Sequence, residues 1–393
     1  MTEYPTAARL RRRTLLRGAG AALLAGPLLT ACGGPAKTAA EKRDRSDKDK
    51  WIAISNRPGF IDHKPPTGTR TRVTKTSSQV FSAASKVQVR YHEDIADDAQ
   101  YLARITPSLK AAKDISRDVV ILPDWLAARA AKDGLASKLD HVAMYHIRSV
   151  VAPFQHSAAD PQRDYTIPWI AGITGIAYDS SQVTVTTVQQ LLTARALRGK
   201  VTGSTDMRNM LGLAIAADGG KPSAPTAAQV SMALGKLRTA VRDGQFLRFA
   251  GADYTADLIS GRAVAAVASS LDLRRLTAAN PAIRFIVPES GGMLWSRDAF
   301  VPNGSVHQSN VNAFLDGYYQ PPLAAQFVAA MESVNLNAAV EDEMVKLKPV
   351  LLTNPLVFPS EPLWARLSIF AQLDAKTDAA YSAAFRGVIA KAA

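Results

Sequence analysis

The chain holds one cysteine, Cys32, and six histidines, at positions 63, 92, 141, 146, 156 and 307. A single thiol excludes a disulfide framework and any cysteine-built zinc or iron–sulfur cage. Histidines can ligate a metal or move a proton, but His141 and His146 stand five residues apart, off a common helical face, and the others form no pair. GxSxG, HExxH and P-loop patterns are missing, and the pairs Gly219–Gly220 and Gly291–Gly292 lack dinucleotide-loop spacing. These residues predict no enzyme, no metal site and no cofactor. The chemistry that remains is non-covalent binding and one nucleophilic thiol.

That thiol has a distinctive setting. Arg12 and Arg13, followed by Thr14, Leu15, Leu16 and Arg17, have the spacing of a twin-arginine export signal. The next 14 residues, Gly18–Ala31, are apolar but softened by Gly and Pro. They fall well short of the ~20 residues a membrane-spanning helix needs. Leu29-Thr30-Ala31-Cys32, followed by Gly33-Gly34, resembles a bacterial lipobox, where small residues let a signal peptidase seat the chain and the thiol accepts lipid. Residues 1–31 are therefore expected to be a signal peptide. Lipidated Cys32 would anchor the protein on the outer face of the cytoplasmic membrane or in the periplasm. Residues 41–50, EKRDRSDKDK, are nine-tenths charged with mixed sign, which predicts a disordered tether over 32–50. At about 3 Å per residue it would reach roughly 50 Å.

The formal charge of +13 raises the question of nucleic acid. Removing residues 1–31 takes away five arginines (9, 11, 12, 13 and 17) and Glu3, leaving +9. That remainder is dispersed, and no basic helix carries interleaved aromatics, so no nucleic-acid partner is expected.

From Trp51 onward short apolar strands alternate with amphipathic helical windows. WIAIS (51–55), VQVRY (87–91), DVVIL (118–122), TGIAYD (174–179), GKVTGS (199–204), AVAAVAS (263–269) and IRFIVP (283–288) read as strands. Helical windows lie at 125–131, 207–218, 226–242, 254–260, 307–317, 322–333 and 376–391. Alternation over this length predicts an α/β protein of two doubly wound lobes, with a ligand site outside the carboxyl ends of strands or between the lobes.

The segments at those strand ends, SNRPGFID (55–62), YHEDIADDAQYLARI (91–105), DVVILPDWLAAR (118–129), DYTIPWIAGITGIAYD (164–179), FAGADYTADLISG (249–261) and GGMLWSRDAFVP (291–302), resemble in order and spacing the periplasmic spermidine/putrescine-binding proteins of ABC importers. NPLVFPSEPLWARL (354–367) extends the likeness over essentially all of 51–390. The resemblance implies a type II-like periplasmic-binding-protein fold, two α/β lobes joined by crossing hinge strands. One lobe would comprise 51–172 and 296–336, the other 173–295 and 337–393. It also implies a small-molecule ligand and, as partners, a permease and its ATPase. A sensor or envelope binding protein without a transport role is the alternative.

In that family, aromatic rings sandwich the ligand's stem and carboxylates hold its ammonium groups. Arg57 falls where the family usually has Trp, and Phe60 where it has Tyr. Trp125 retains an aromatic ring. Asp206 matches a carboxylate, Asn209 stands where Glu is common, and Ser269 replaces an aromatic. Trp295 matches an aromatic, whereas the carboxylate expected two residues later is Arg297, with Asp298 next. Leu336 falls near a position often Tyr. Asp253 and Tyr254, before a helix, are further cleft candidates. Trp169 and Trp364 are expected in the core or hinge, and Asp118 in a structural role.

The site thus moves from about three carboxylates to one carboxylate and two guanidinium groups. A like-charge pair at 4 Å costs roughly 4 kcal/mol at an effective dielectric near 20. The expectation is weak spermidine binding and a cleft suited to an anionic or zwitterionic solute clamped by Arg57 and Arg297. Two neutral alternatives stand beside it. Either Arg could face solvent or pair with Asp298, Asp253 or Asp272, and a one-residue bulge after Trp295 could turn Asp298 into the cleft.

Overall fold

The computed structural model describes residues 43–63 and 74–392. The twin-arginine motif, Cys32 and the first part of the expected tether lie outside these residues. The strands are β1 Trp51–Ser55, β2 Gln88–His92, β3 Val119–Pro123, β4 Ala136–Ser137, β5 Thr166–Asp179, β6 Val201–Ser204, β7 Phe246–Ala250, β8 Ala265–Ser269, β9 Ile283–Ile286, β10 Gly292–Pro302 and β11 Leu367–Ser368. Between them lie α1 Ser77–Ser85, α2 Asp98–Lys110, α3 Asp124–Lys132, α4 Val188–Thr193, α5 Met207–Ala217, α6 Ala227–Arg242, α7 Tyr254–Ile259, α8 Leu273–Ala279, α9 Gln308–Tyr318, α10 Pro321–Met331, α11 Glu341–Leu347, α12 Glu361–Trp364 and α13 Ala375–Ile389. Thr76, Thr187 and Thr226 each start a helix in a T-x-x-Q capping box, in which threonine and glutamine satisfy reciprocal backbone N–H groups.

The main path of the sheet runs β2-β1-β3-β10-β5-β8-β6-β7. At one end β2, β1 and β3 pair in parallel, and at the other β8, β6 and β7 do. The antiparallel pair β5 and β10 joins these two halves. Each half has its own apolar core. Ile52, Ile54, Val119, Ile121 and Phe314 belong to the first, and Leu211, Val230, Leu237, Val267 and Phe385 to the second. All fourteen residues of β5 are buried. This matches a mixed α/β protein of the two-lobed periplasmic-binding type.

β10 and the first part of β5 were not among the expected strands. Ser296, Arg297 and Asp298 interrupt the apolar pattern in β10, and all three are buried. Asp298 is wholly enclosed; it accepts from Ser296 Oγ at 2.6 Å and is paired with Arg163. Opposite, Arg297 pairs with Ile170 and Asp298 with Pro168, which leaves Trp169 as the extra residue of a bulge. Pro168 has no N–H to give the ladder, so the register slips there. The bulge therefore belongs to β5, and Asp298 faces Arg163. Its placement among the ligand-binding residues is corrected. Trp169 packs in the core on Phe314, Tyr318 and Phe327, while Trp364 lies 6.5 Å from Phe154.

Two boundaries also change. Residues 43–50, expected in the tether, are folded against the domain. Asp44 accepts from the Ser309 backbone N–H at 2.9 Å at the start of α9, and Arg45 N–H donates to Val306 at 2.7 Å. An acidic group is favourable at a helix N-terminus because free N–H groups point outward there. The second change concerns 337–365, expected with the second lobe. Val340, Met344, Leu351 and Val357 pack on α10, and Leu363 joins the first core. The chain passes to the second core after β11, where Phe370 and α13 begin to pack on it. Asp118 is structural: it accepts from the Ala53 N–H at 2.8 Å and from Ser305 Oγ and the His307 ring at 2.9 Å.

Replacing Asp298 by alanine would strand a buried guanidinium. The expected cost is about 3–5 kcal/mol of unfolding free energy, read by urea denaturation.

Candidate functional site

The carboxyl ends of β1 and β3 deliver a loop and a helix start to the flank of β10. Asn56 to Asp62 follow β1, and α3 begins directly after Pro123, which pairs with Arg297. Arg297 is 4% exposed and forks onto Asp98, with Nη2 donating to Oδ1 at 2.7 Å and Nη1 to Oδ2 at 3.3 Å. It also donates to the Ile121 carbonyl at 2.9 Å and to Asn56 Oδ1 at 3.0 Å. Burial draws its pKa below the ordinary guanidinium value, and the Asp98 carboxylate opposes that shift. Arg57 reaches Asp98 Oδ2 at 3.3 Å with 44% of its side chain exposed. Both sequence-predicted arginines thus share one carboxylate, and their partner is none of the three acids considered.

The aromatic part of this cluster is Phe60 and Trp295, edge to face at 6.1 Å. The Arg297 guanidinium lies 4.9 Å from the Phe60 ring centre. Trp295 rests on Gly172 of β5, where an added Cβ would run into the indole. The face of Phe60 that a ligand cation would seek is therefore already covered by a cation of the chain.

A second cluster forms around Trp125 and joins the two halves. The guanidinium of Arg208, in the first turn of α5, lies 3.7 Å from the Trp125 ring centre, with Arg129 at 5.1 Å. Asp378 of α13 takes Arg208 at 2.7 Å on one oxygen and Arg129 at 2.9 Å on the other. Gln372 Nε2 donates to the Trp125 carbonyl at 2.7 Å. Trp125 is half-buried, and its ring is covered by these two guanidinium groups. Asp206 caps α5, accepting from the Asn209 N–H at 2.9 Å, and is exposed; Asn209 is half-buried.

The remaining candidates gather elsewhere. Tyr254 is buried, donates to Asp272 Oδ2 at 2.7 Å and accepts from the Ser269 N–H at 3.0 Å. Burial raises its pKa well above the ordinary phenol value, and Asp272 adds to that. Asp253 is exposed and paired with Arg248 at 2.8 Å. Tyr254, Asp272 and Ser269 form one network in the second half and Asp253 with Arg248 and Asp257 another, and among the described residues neither has a side-chain hydrogen bond to the clusters above. Leu336 is a core residue, not a cleft one.

The sequence reading missed Asp98, Asp124, Arg129, Arg208 and Asp378. Asp98 and Arg208 lie inside segments that had drawn attention, but nothing local separates Asp98 from its acidic neighbours. Asp378 is a helical residue some 170 positions from Arg208, a pairing that only folding creates. Asp124 opens α3 and is crowded on most sides while keeping some solvent contact. That crowding, with Asp298 nearby, pushes its carboxyl up to about 7, against the opposing pull of Arg163 and Arg208. No group of three or more metal-ligating side chains occurs among the described residues.

An acid whose pKa is raised on folding loses stability as pH rises from its unfolded value toward its folded one. Asp124→Asn should therefore stabilise the protein at pH 8 and change little at pH 4, as thermal denaturation at both values would read.

The two clusters gather two aromatic rings, two shared carboxylates and four guanidinium groups. No curated protein matches the chain. A spermidine/putrescine ABC transporter substrate-binding protein from Streptococcus pneumoniae superposes with a TM-score of 0.72 at 18% identity, covering 88% of this chain and 100% of that one. The Tp0655 lipoprotein of Treponema pallidum gives 0.70 at 18%, covering 86% and 99%. A binding protein from Agrobacterium tumefaciens R10 in complex with agropinic acid gives 0.61 at 18%, covering 87% and 96%. At these identities the likeness establishes the fold. Residues 79–353 match the bacterial extracellular solute-binding proteins, binding proteins and not enzymes, and the chain belongs to that family.

Proposed function

We propose that this solute-binding protein captures a zwitterionic or anionic small solute, not a polyamine, for an ABC importer. The observation that carries the reading is the pairing of each carboxylate with two guanidinium groups. Asp98 holds Arg57 and Arg297, and Asp378 holds Arg129 and Arg208, so each trio keeps a net positive charge beside an aromatic ring. An ammonium group brought within 4 Å of such a charge loses roughly 4 kcal/mol, about a thousandfold in affinity. Exposed Arg57 keeps donors free for a carboxylate. The agropinic-acid complex is a precedent for an acid ligand on this fold.

In this reading the halves are lobes that hinge at β5, β10 and β11 and close over the solute. A permease with its ATPase would recognise the closed form. Twin-arginine export and a lipid on Cys32 would place the protein outside the cytoplasmic membrane, where it meets solutes.

Calorimetry of the mature chain against spermidine, putrescine, amino acids and small carboxylates tests the ligand class. Binding among the carboxylates or amino acids is expected, and sub-micromolar spermidine binding would overturn it. Cys32→Ser should abolish labelling by radioactive palmitate and move the protein from the membrane to the soluble fraction.

A further inference from the structure

Three contacts between the halves meet around Trp125: Arg208 on its ring, Gln372 on its carbonyl and Arg129 on Asp378. Arg208 comes from α5 of the second half, and its Cζ lies over the ring of Trp125, from α3 of the first, 3.7 Å from the ring centre. Its Nη2 is 2.7 Å from Asp378, whose other oxygen takes Arg129 at 2.9 Å. An aromatic face, a carboxylate and a crowded second acid, Asp124, surround the cation, the ingredients of a receptor for an organic cation. Arg208 Nε is buried and, among the described residues, finds no acceptor. A charged donor left unpaired is unfavourable. Placed as it is from α5, the side chain does not satisfy every N–H at once.

We infer that Trp125 and Asp378 form a guanidinium-binding site that the chain fills with its own Arg208. Arg208 is then the residue that keeps organic cations out of this part of the cleft. It also joins the halves without a solute, because its two partners come from opposite sides. Truncating it should expose a vacant cation site, into which a free guanidinium can settle with all its donors paired. This goes beyond the ligand class proposed above and does not depend on it: that class is tested on the wild type, whereas this site is tested with Arg208 removed.

The probe is methylguanidinium, added at matched ionic strength to the mature chain during thermal unfolding followed by circular dichroism. Arg208→Ala should gain about 2 °C at ten times the dissociation constant, the size expected for one occupied site. Wild type and the double variant Arg208→Ala/Trp125→Ala should gain nothing. The inference is overturned if folded Arg208→Ala gains nothing, or if wild type gains as much. Should Arg208→Ala not fold, Arg208→Gln takes its place with the same expectation. Should neither fold alone, recovery of native circular dichroism on adding methylguanidinium is required, and its failure overturns the inference.

Discussion

The centre of this sheet carries charge, and a charge buried there must be paired or the strand cannot stay. β10 runs between β3 and β5 with Arg297 and Asp298 side by side and almost fully enclosed. Neighbouring residues on a strand point to opposite faces, so the two cannot neutralise one another. Each needs a partner on its own side of the sheet. Asp298 takes Arg163 and Ser296, while Arg297 takes Asp98, Asn56 and the Ile121 carbonyl. These ties hold α2, the loop after β1 and the end of β3 in register with the strand shared by both halves. Breaking either pair would leave an isolated ion in a dry interior, a cost of several kcal/mol.

The same requirement shapes both charged clusters. Asp98 stands in the first turn of α2, where a helix favours an acid, and there it serves Arg57 as well as Arg297. Asp378 serves Arg129 and Arg208 in the same way from α13. One carboxylate between two guanidinium groups leaves a positive remainder, and in both places that remainder lies against an aromatic ring. The rings of Phe60 and Trp125 thus stabilise cations belonging to the chain. Under the proposed function, the groups that hold the sheet and the halves together would also decide the sign of the solute.

Much of the architecture was legible in the amino-acid order because local chemistry produces it. DVVIL reads as a strand buried on both faces, and Val119–Pro123 is one. The windows at 207–218 and 226–242 are helices because Asp206 and Thr226 cap them and their apolar residues recur at helical spacing. β10 escaped notice for the opposite reason. Its polar centre looks like a loop until Asp98 and Arg163, from distant segments, supply the partners that make burial tolerable. Residues 43–50 likewise read as solvated because their charge is dense. They fold because α9 presents free N–H groups to Asp44.

The alternation of strands and helices, with the resemblance of the strand-end segments, was enough to determine an α/β protein of the solute-binding family. Local order settles which residues reach a strand end or a helix start, and so which can approach a ligand. Whether they are free to do so was decided only by the tertiary structure. Asp98 and Asp378 are far in sequence from the arginines they hold, by 199 and 170 positions for Arg297 and Arg208. Charge pairing at such separations is set by how the layers pack, and nothing in the neighbouring residues records it.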